Sequence, residues 1–421
     1  MKTPLFILSA TAALLLSGCG GGTDTTETDA TDITVERGPV LMAALLDADG
    51  QRGESLGNGV YRFHAPRYPV TSYGGYIDLN RNGVVDSGDV SMGRLRLHTD
   101  GGNVMTLAAT AAQNRELYTY MQELGFSDAE LFQATPSTDR DTAALCDELY
   151  RLCVENNISD PAQLEYSRME QIGAQIRERR ERYNASALST AELEQQLVRE
   201  LGMKRVGSES AQTLRDENDR TVISSMEPSE LGSEQIYTLA YMWNEERLAH
   251  DLYLALNALT PSQTLETIAT RSESSHIASV EALIEKYDLN ILNTDDYSGG
   301  YDAAALDAYG PGSYTVEALT DLYGTLYDKG SRSLQDALEV GCMVEVTDID
   351  DLDGDIAAAA GAEDLVLVFE NLRYGSYNHY WAFDRALKNL GVSKGCCILG
   401  EAYCKTAEAY PQTRMGSGMR Y

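Results

Sequence analysis

Apolar residues recur at alternating steps of three and four along four segments in the C-terminal part of the chain. This spacing places each set on one face of an α-helix, and four such faces are typical of helices that pack around a shared core. Each stripe also carries polar residues at core positions. The stripes are Leu239, Met242, Glu246, Ala249, Tyr253 and Leu256; Ala269, Glu273, His276, Val280, Leu283 and Tyr287; Leu334, Leu338, Gly341, Glu345, Asp348 and Leu352; and Leu365, Phe369, Leu372, Ser376, His379 and Phe383. The pattern predicts a four-helix bundle with carboxylate and imidazole side chains in its core.

The rest of the chain divides by changes in this pattern. Short apolar runs between glycine-rich turns predict a small β-rich domain over residues 38–105, and helical spacing predicts a helical middle region over 106–204. A polar stretch, 205–231, is interpreted as a linker to the four-helix bundle over 232–400, and residues 401–421 as a C-terminal tail. The expected fold class is therefore mainly α, with a helical middle region and a small β-rich domain before the bundle.

The start of the chain has the pattern of an exported bacterial protein. A basic residue followed by an apolar run from Leu5 to Leu16 predicts a signal peptide over residues 1–18. The motif Leu-Ser-Gly-Cys that ends at Cys19 resembles the lipobox of bacterial lipoproteins, which implies lipidation of this cysteine and a membrane anchor. Residues 19–37 are predicted to be a flexible tether. The alternative is an ordinary signal peptide with an incidental cysteine.

The residue after the lipobox cysteine is Gly20 and not an aspartate. By analogy with sorting in Gram-negative bacteria, this favours the outer membrane. We therefore expect a lipid-anchored protein of the cell envelope, facing the periplasm or the cell surface. The membrane is then one partner of the protein.

The charge of the chain is strongly negative. Its 65 acidic and 33 basic residues give a formal net charge of −32. Such a surface repels phosphates, so nucleic acid is not an expected partner. Solubility, a salty medium and cation capture each explain the acidic excess, and charge alone does not separate them.

Six cysteines follow the lipobox, in a compartment where disulfides form. Cys146 and Cys153 lie in a helical stretch, where seven residues rise about 10.5 Å, beyond the roughly 7 Å that a disulfide spans between Cα atoms. We therefore expect these two to stay unpaired. The preferred bridge joins Cys342 to one of three cysteines near the C-terminus, and the sequence leaves the choice open. These are Cys396, Cys397 and Cys404.

The polar residues at core positions have the composition of a two-metal site. Four carboxylates and two imidazoles match the ligands of di-iron centres in helical bundles. Burying four carboxylates without cations costs several kcal/mol each, whereas two divalent ions balance four negative charges. Oxygen-rich ligation favours iron, or manganese, over structural zinc. The predicted ligands are Glu246, Glu273, His276, Glu345, Asp348 and His379.

Segments 243–249, 272–276, 341–352 and 371–383, in this order, resemble a ferritin-like family catalogued as domain of unknown function 2202. The resemblance covers about residues 232–400 and implies a ferritin-like bundle with a di-iron site. In ferritins and related di-iron proteins the fourth helix carries its own Glu-x-x-His, but here Ser376 lies three residues before His379. Asp348 of the third helix takes that role in the predicted set. This departure leaves open which metal binds and whether oxygen chemistry survives.

Residues 78–89 resemble a twelve-residue EF-hand loop of the dockerin-like kind, with aspartate at the last position. No amphipathic helix precedes it, so we expect a calcium ion that clamps a loop and not a sensor. The alternative is a polar turn with incidental spacing. The predicted calcium ligands are the side chains of Asp78, Asn80, Asn82 and Asp89 and the carbonyl of Val84.

Two functions follow from these features. The first is a di-iron oxidoreductase of ferroxidase or peroxidase type, acting on a metal ion or a small oxidant, with Tyr253 close to the metals. The second is a non-enzymatic binding module of the cell envelope that metal ions stabilise. Metal storage requires a cage of many subunits, and a large tethered N-terminal half disfavours such a cage.

Overall fold

The computed structural model describes residues 30–412 apart from short gaps, so the predicted signal peptide and Cys19 lie outside the described residues. The gaps are residues 99–101, 157, 204, 207–210, 294–296 and 298. Within the described part, the protein is mainly helical, with a strand-containing N-terminal region. No helix there is both long and apolar enough to cross a bilayer.

Strands occur in the N-terminal region, as predicted. Those of the described residues are β1 (Ala30–Val35), β2 (Val40–Leu41), β3 (Ala44–Leu46), β4 (Glu54–Gly57), β5 (Val60–His64), β6 (Val70–Tyr73), β7 (Tyr76–Ile77), β8 (Val90–Ser91), β9 (Leu95–Leu97) and β10 (Val104–Met105). They form one four-stranded sheet, ordered β10-β1-β5-β4, and two three-stranded sheets, β2-β7-β8 and β3-β6-β9. Strands β1 and β10 pair in parallel, and the other neighbours are antiparallel.

Strand β1 corrects the predicted tether over residues 19–37, because residues 30–35 pair with β5 and β10. Ile33 and Val35 alternate along β1 and are fully buried. The threonines and aspartates around them are typical of flexible segments, and this masked the short apolar alternation. The first sheet therefore begins inside the predicted tether.

Helices follow the strands. They are α1 (Leu107–Ala111), α2 (Arg115–Glu123), α3 (Asp128–Phe132), α4 (Arg140–Asn156), α5 (Tyr166–Gln171), α6 (Gly173–Ala185), α7 (Thr190–Glu200), α8 (Ala211–Ser225), α9 (Ser233–Leu259), α10 (Gln263–Thr267), α11 (Ser274–Lys286), α12 (Ala303–Asp307), α13 (Glu317–Gly330), α14 (Leu334–Ala358) and α15 (Glu363–Asn389). A π-helical segment, Ile268–Glu273, joins α10 to α11. Short 3-10 turns are Pro161–Gln163, Gly395–Leu399 and Glu401–Tyr403.

Helix α8 lies inside the segment 205–231, which we predicted to be a linker. It packs against α11 and against strand β6. Val222 and Ile223 near its C-terminal end, and Met226 just after it, are buried. The segment has few other apolar residues, so its polar composition concealed a packed helix. Helix α8 connects the sheets to the C-terminal helices.

The C-terminal helices pack closely around one another. The most extensive contact is between α14 and α15, and α9 contacts α11, α13, α14 and the π-helical segment. Trp243, Tyr253, Phe369 and Phe383 are fully buried between them. Most residues of the predicted apolar stripes are therefore buried between these helices, and their apolar members fall in two clusters.

Two disulfides close the C-terminal end of the described chain. Cys342 on α14 pairs with Cys396, which confirms the preferred bridge, and Cys397 pairs with Cys404. Cys146 and Cys153 are both buried on α4 and are not bridged, as the rise of a helix predicted. The first disulfide ties α14 to the segment after α15.

Candidate metal centre

Five of the six predicted metal ligands meet between the C-terminal helices. Glu246 lies on α9, Glu273 ends the π-helical segment, His276 lies on α11, Glu345 on α14 and His379 on α15. None of them is more than 8% exposed. π-helical turns inside α-helices are frequently found at functional sites.

Glu273 lies at the middle of this cluster. Its Oε2 is 3.2 Å from Nδ1 of His276, and its Oε1 is 3.2 Å from Nδ1 of His379. On one side, Oε2 of Glu246 is 3.1 Å from the same nitrogen of His276. On the other, Oε2 of Glu345 is 3.2 Å from Nδ1 of His379. The two imidazole rings stack with centroids 5.3 Å apart.

The cluster is therefore two ligand groups that share one carboxylate. Glu246, Glu273 and His276 each offer one ligand atom, and these atoms lie within 4.8 Å of one another. The same is true of Glu273, Glu345 and His379. A carboxylate whose two oxygens face two such groups is suited to bridge two ions. We name these five residues the centre.

Asp348 belongs to neither three-residue group. It is 6% exposed on α14, one turn after Glu345, and its Oδ1 accepts no hydrogen bond in the described structure. Its carboxyl contacts the side chain of Ser376, three residues before His379 on α15. The structure thus places Asp348 beside the centre, with a free oxygen but without the close imidazole that the other carboxylates have.

Three neighbours hold the centre's side chains in position. The hydroxyl of Tyr253, which is fully buried, donates to Oε1 of Glu345 at 2.5 Å. Nε2 of His379 is 2.6 Å from Oγ of Ser272. A Cβ atom on Gly375 would lie only 2.4 Å from Nε2 of His276, so the glycine makes room for that ring. These contacts leave Nδ1 of each imidazole facing the carboxylates.

The imidazoles partly balance the charge of the carboxylates when no metal is bound. Burial alone would lower the pKa of His379, but the charges of Glu345 and Glu273 raise it to about 10. Against the same penalty, Glu246 raises the pKa of His276 well above its ordinary value. Burial raises the pKa of Glu246 to about 7, although the charge of His276 opposes this shift. Burial, together with repulsion by Glu246 and Glu345, raises the pKa of Asp348 well above its ordinary value. Bound cations would displace these protons.

Sequence periodicity did not predict a set of three acidic residues next to the centre. Glu245 lies about 100° around α9 from Glu246, outside the apolar stripe that predicted Glu246, yet it is only 5% exposed. It faces Asp351 and Asp355 of α14, which were not predicted at all. The available signal was the spacing of three and then four residues along α14, from Asp348 to Asp351 and from Asp351 to Asp355. Helix α9 is covered on two sides, so adjacent residues are both buried.

The predicted calcium ligands lie in one tight loop. Asp78 accepts the N–H groups of Asn82 at 3.2 Å and Gly83 at 2.8 Å, and Gly83 has the positive φ that such a turn requires. Asp89 accepts the N–H of Leu79 at 3.0 Å, which closes the loop. Asp78 and Asp89 are buried. The side chains of Asn80 and Asn82 are exposed, and Asn82 accepts the N–H of Val84 at 2.9 Å.

The fold and the centre together define a helical protein with a buried carboxylate and histidine cluster. Residues 235–404 match the family described as an uncharacterized protein domain, DUF2202. The uncharacterized protein MJ0754 of Methanocaldococcus jannaschii is 36% identical over 169 residues, which are 40% of this chain and 83% of that protein. The chain therefore belongs to this family through its C-terminal helices.

A solved structure is also similar to this chain. It is the crystal structure of hypothetical protein MJ0754 from Methanococcus jannaschii DSM 2661, with 35% sequence identity and a TM-score of 0.35. The match covers 40% of this chain and 87% of the other.

Proposed function

We propose that the C-terminal helices form a ferritin-like four-helix bundle whose centre binds two divalent metal ions, expected to be iron, with manganese or zinc as alternatives. The protein would use them as an oxidoreductase that oxidises iron or reduces oxygen or peroxide. The observation that carries this proposal is the position of Glu273, whose two oxygens each face a different imidazole nitrogen. A carboxylate that faces two histidine-containing ligand groups can bridge two ions, and carboxylates with two histidines are the ligands of two-metal sites in helical bundles.

The residues of the centre, together with Asp348, fit two ions in number, chemistry and charge. Glu246 and His276 would hold one ion, Glu345 and His379 the other, and Glu273 both. Oε1 of Glu246 and Oδ1 of Asp348 accept no hydrogen bond in the described structure, although both residues are buried. Burying a carboxylate oxygen without a partner destabilises the fold unless a cation binds to it. Asp348 is therefore the expected further ligand.

Bound iron would supply Lewis acidity and electrons for oxygen or peroxide. The chain itself would orient and shield the reacting ions. Ser272 fixes His379 through Nε2, which leaves Nδ1 for the centre. Tyr253 donates to Glu345 and keeps the carboxylate in place. The fully buried Phe383 and Tyr253 rings, 5.2 Å apart, exclude water on that side.

The experiment that tests the oxidoreductase proposal is anaerobic addition of Fe²⁺ to the metal-free protein, followed by oxygen or peroxide. We expect two ions per chain and an absorption change that recurs over several cycles of oxidant and reductant. A Glu345→Gln variant should lose the recurring change, whereas Glu317→Gln, on an exposed turn of α13, should retain it. Iron that binds without any change on adding either oxidant would refute the proposal.

That negative result would favour the second candidate, a metal-stabilised binding module of the cell envelope. The observation in its favour is the large N-terminal half, whose sheets and helices share an extensive apolar core of their own. The membrane anchor at Cys19 belongs to both candidates. It is tested by incorporation of a labelled fatty acid, which Cys19→Ser should abolish.

A calcium ion in the loop 78–89 is the remaining part of the proposal. Two buried aspartates and two exposed asparagines around a positive-φ glycine have the residue types that calcium prefers. Calcium should raise the melting temperature of the wild-type protein but not that of Asp78→Asn. The matched control is Asp49→Asn, whose side chain is 57% exposed outside the loop. An equal calcium response in all three proteins would contradict a site in this loop.

A further inference from the structure

A cavity lies where the N-terminal half meets the C-terminal helices. Its lining comes from the strand region and α8 on one side and from α11 and α15 on the other. The space between these two sides, including the part open to solvent, is about 360 Å³. Contacts between two parts of a chain are common positions for small-molecule sites. Both histidines of the centre lie on the same two helices, α11 and α15.

One side of the cavity lies one helical turn from the centre. Ser279 of α11 and Asn371 of α15 both belong to its lining. Along the same contact between these helices, a Cβ atom on Gly375 would lie 2.4 Å from Nε2 of His276. Ser279 lies three residues after His276, and Asn371 four residues before Gly375, which are spacings that keep residues on one face of a helix. One turn rises about 5.4 Å, so the lining and the edge of the imidazole ring are neighbours.

The edge of His276 is also where the centre is least covered. His276 is 8% exposed, whereas the other four residues of the centre are 2–5% exposed. Gly375 and Ser279 are half-buried, and one has no side chain while the other has a small one. A bulky side chain at either position would cover the ring on this side. A small molecule in the cavity can therefore approach the centre along Ser279 and Gly375.

The chemistry of the lining favours an uncharged molecule. Six of its eleven residues are apolar, among them Val222 and Leu367. The side-chain amide of Asn218 bonds to backbone groups of the strand region, and the guanidinium of Arg52 donates to the side chain of Asn371. An ion would lose its hydration against the apolar part of this lining, whereas dioxygen and hydrogen peroxide carry no charge.

We propose that this cavity admits a small uncharged oxidant, dioxygen or hydrogen peroxide, which reaches the centre between Ser279 and Asn371 at the edge of His276. The proposal rests on the proposed function of the centre. Both halves of the chain line the cavity, so the N-terminal half takes part in oxidant entry without holding either metal ion. Metal ions reach the centre by a different way, because the lining is largely apolar.

The first test uses crystals of the full chain without metal, pressurised with xenon as an uncharged probe. Apolar cavities bind xenon, so we expect an anomalous peak between Val222, Leu367 and Ser279. Ser279→Leu should remove the peak because the larger side chain fills this space. The matched control, Ser224→Leu on an exposed position of α8, should retain it. A wild-type cavity without xenon would overturn the proposal.

The second test measures by stopped flow how fast the iron-loaded protein reacts with dioxygen and, separately, with hydrogen peroxide. Ser279→Leu should bind two ions and react at least tenfold more slowly with the oxidant that uses the cavity, while Ser224→Leu reacts as wild type. Asn371→Leu narrows the cavity from α15 and should act in the same way, so loss of folding in one variant leaves the other. Mn²⁺ should enter both metal-free variants at the wild-type rate.

The outcomes separate the entry route from the function of the centre. A wild-type protein that binds two irons and reacts with neither oxidant contradicts the proposed function, and the entry route with it. Variants that keep two ions and wild-type rates with both oxidants refute the entry route while the proposed function stands. Equal slowing of Mn²⁺ entry and of oxidation also refutes the route, because the cavity then admits ions.

Discussion

The two halves of the molecule both bury acidic side chains, but they balance the negative charge differently. In the N-terminal half, Arg37 lies within 2.9 Å of Glu194 and also pairs with Asp147, and Arg81 lies 2.7 Å from the second oxygen of Glu194. All but Arg81 are at least 97% buried. This cluster contains its own cations. It links the strand region to helices α4 and α7.

The centre in the C-terminal half has no such cations. Among the described residues, its carboxylates pair with the two imidazoles and with no lysine or arginine. An imidazole binds a metal ion when it loses its proton, whereas a guanidinium keeps its charge and does not. The difference teaches that the arginine-paired acids need no further cation, whereas the histidine-paired acids are the ones that we propose bind metal ions.

The largest expected effect is on metal binding by Glu273→Ala. Because its two oxygens face both ligand groups, the variant should lose both ions and with them the rise in melting temperature on adding Mn²⁺ or Fe²⁺. The measurement is thermal unfolding with and without metal. Glu285→Ala, on the exposed face of α11, is the control and should keep the full rise. If metal raises the melting temperature of Glu273→Ala as much as that of wild type, the claim that the acids of the centre are balanced by metal ions is contradicted.

The second effect is on the N-terminal cluster. Arg37→Met leaves Asp147 and Glu194 buried without their shared cation, so it should lower the free energy of unfolding by about 3–5 kcal/mol. Denaturant unfolding measures this loss, and added metal should not restore it. Arg177→Met on the exposed face of α6 should change stability little. Rescue of Arg37→Met by divalent metal would show that the two clusters do not differ as we describe.

The third effect is on the pH dependence of stability. Burial raises the pKa of Glu194 to about 7 from an ordinary 4.5, although Arg37 and Arg81 oppose the shift. The folded state holds this proton more tightly than the unfolded state, so its contribution is fully present below pH 4.5 and is lost as the pH rises to 7. The expected loss is up to ~3 kcal/mol.

Glu194→Gln should remove this part of the pH dependence. The measurement is the free energy of unfolding from pH 4 to pH 8 with chelator present, compared between variant and wild type. Glu181→Gln, on an exposed position of α6, should retain the wild-type slope. An unchanged slope in Glu194→Gln would contradict the assignment of this proton.

The smallest effect comes from Gly375→Ala. The added Cβ would lie 2.4 Å from Nε2 of His276 and displace this ring. Displacing this ligand should lower the affinity for one of the two ions about 10- to 100-fold and leave the affinity for the other unchanged. Ion titration measures both affinities. Gly354→Ala on α14, where no atom lies within 4 Å of the new Cβ, should leave both unchanged. An equal loss of affinity for both ions would contradict two separate ligand groups.

Much of the centre was predictable because its ligands follow helical spacing. Glu273 and His276 lie one turn apart, and Glu345 and His379 fall on apolar stripes, so the sequence alone placed them on facing helices. The π-helical turn that carries Glu273 has no such signal. The separation of Asp348 from the two ligand groups also depends on tertiary packing. Spacing therefore predicted the membership of the centre better than its geometry.

The buried arginine cluster escaped prediction for a different reason. Arg37 lies at the end of a segment whose composition is typical of a tether, and its partners Asp147 and Glu194 are more than a hundred residues away. Long-range ion pairs leave no local pattern. Glu245 escaped because periodicity assigns only one face of a helix to the core, whereas α9 is buried on two.

The most direct test of the central claim is an anomalous difference map from crystals of the full chain grown with Fe²⁺ under anaerobic conditions, with data collected at the iron edge. We predict two strong peaks on either side of the Glu273 carboxylate, one beside His276 and the other beside His379. A single peak, or iron bound only elsewhere while these side chains keep their present contacts, would contradict a two-metal centre.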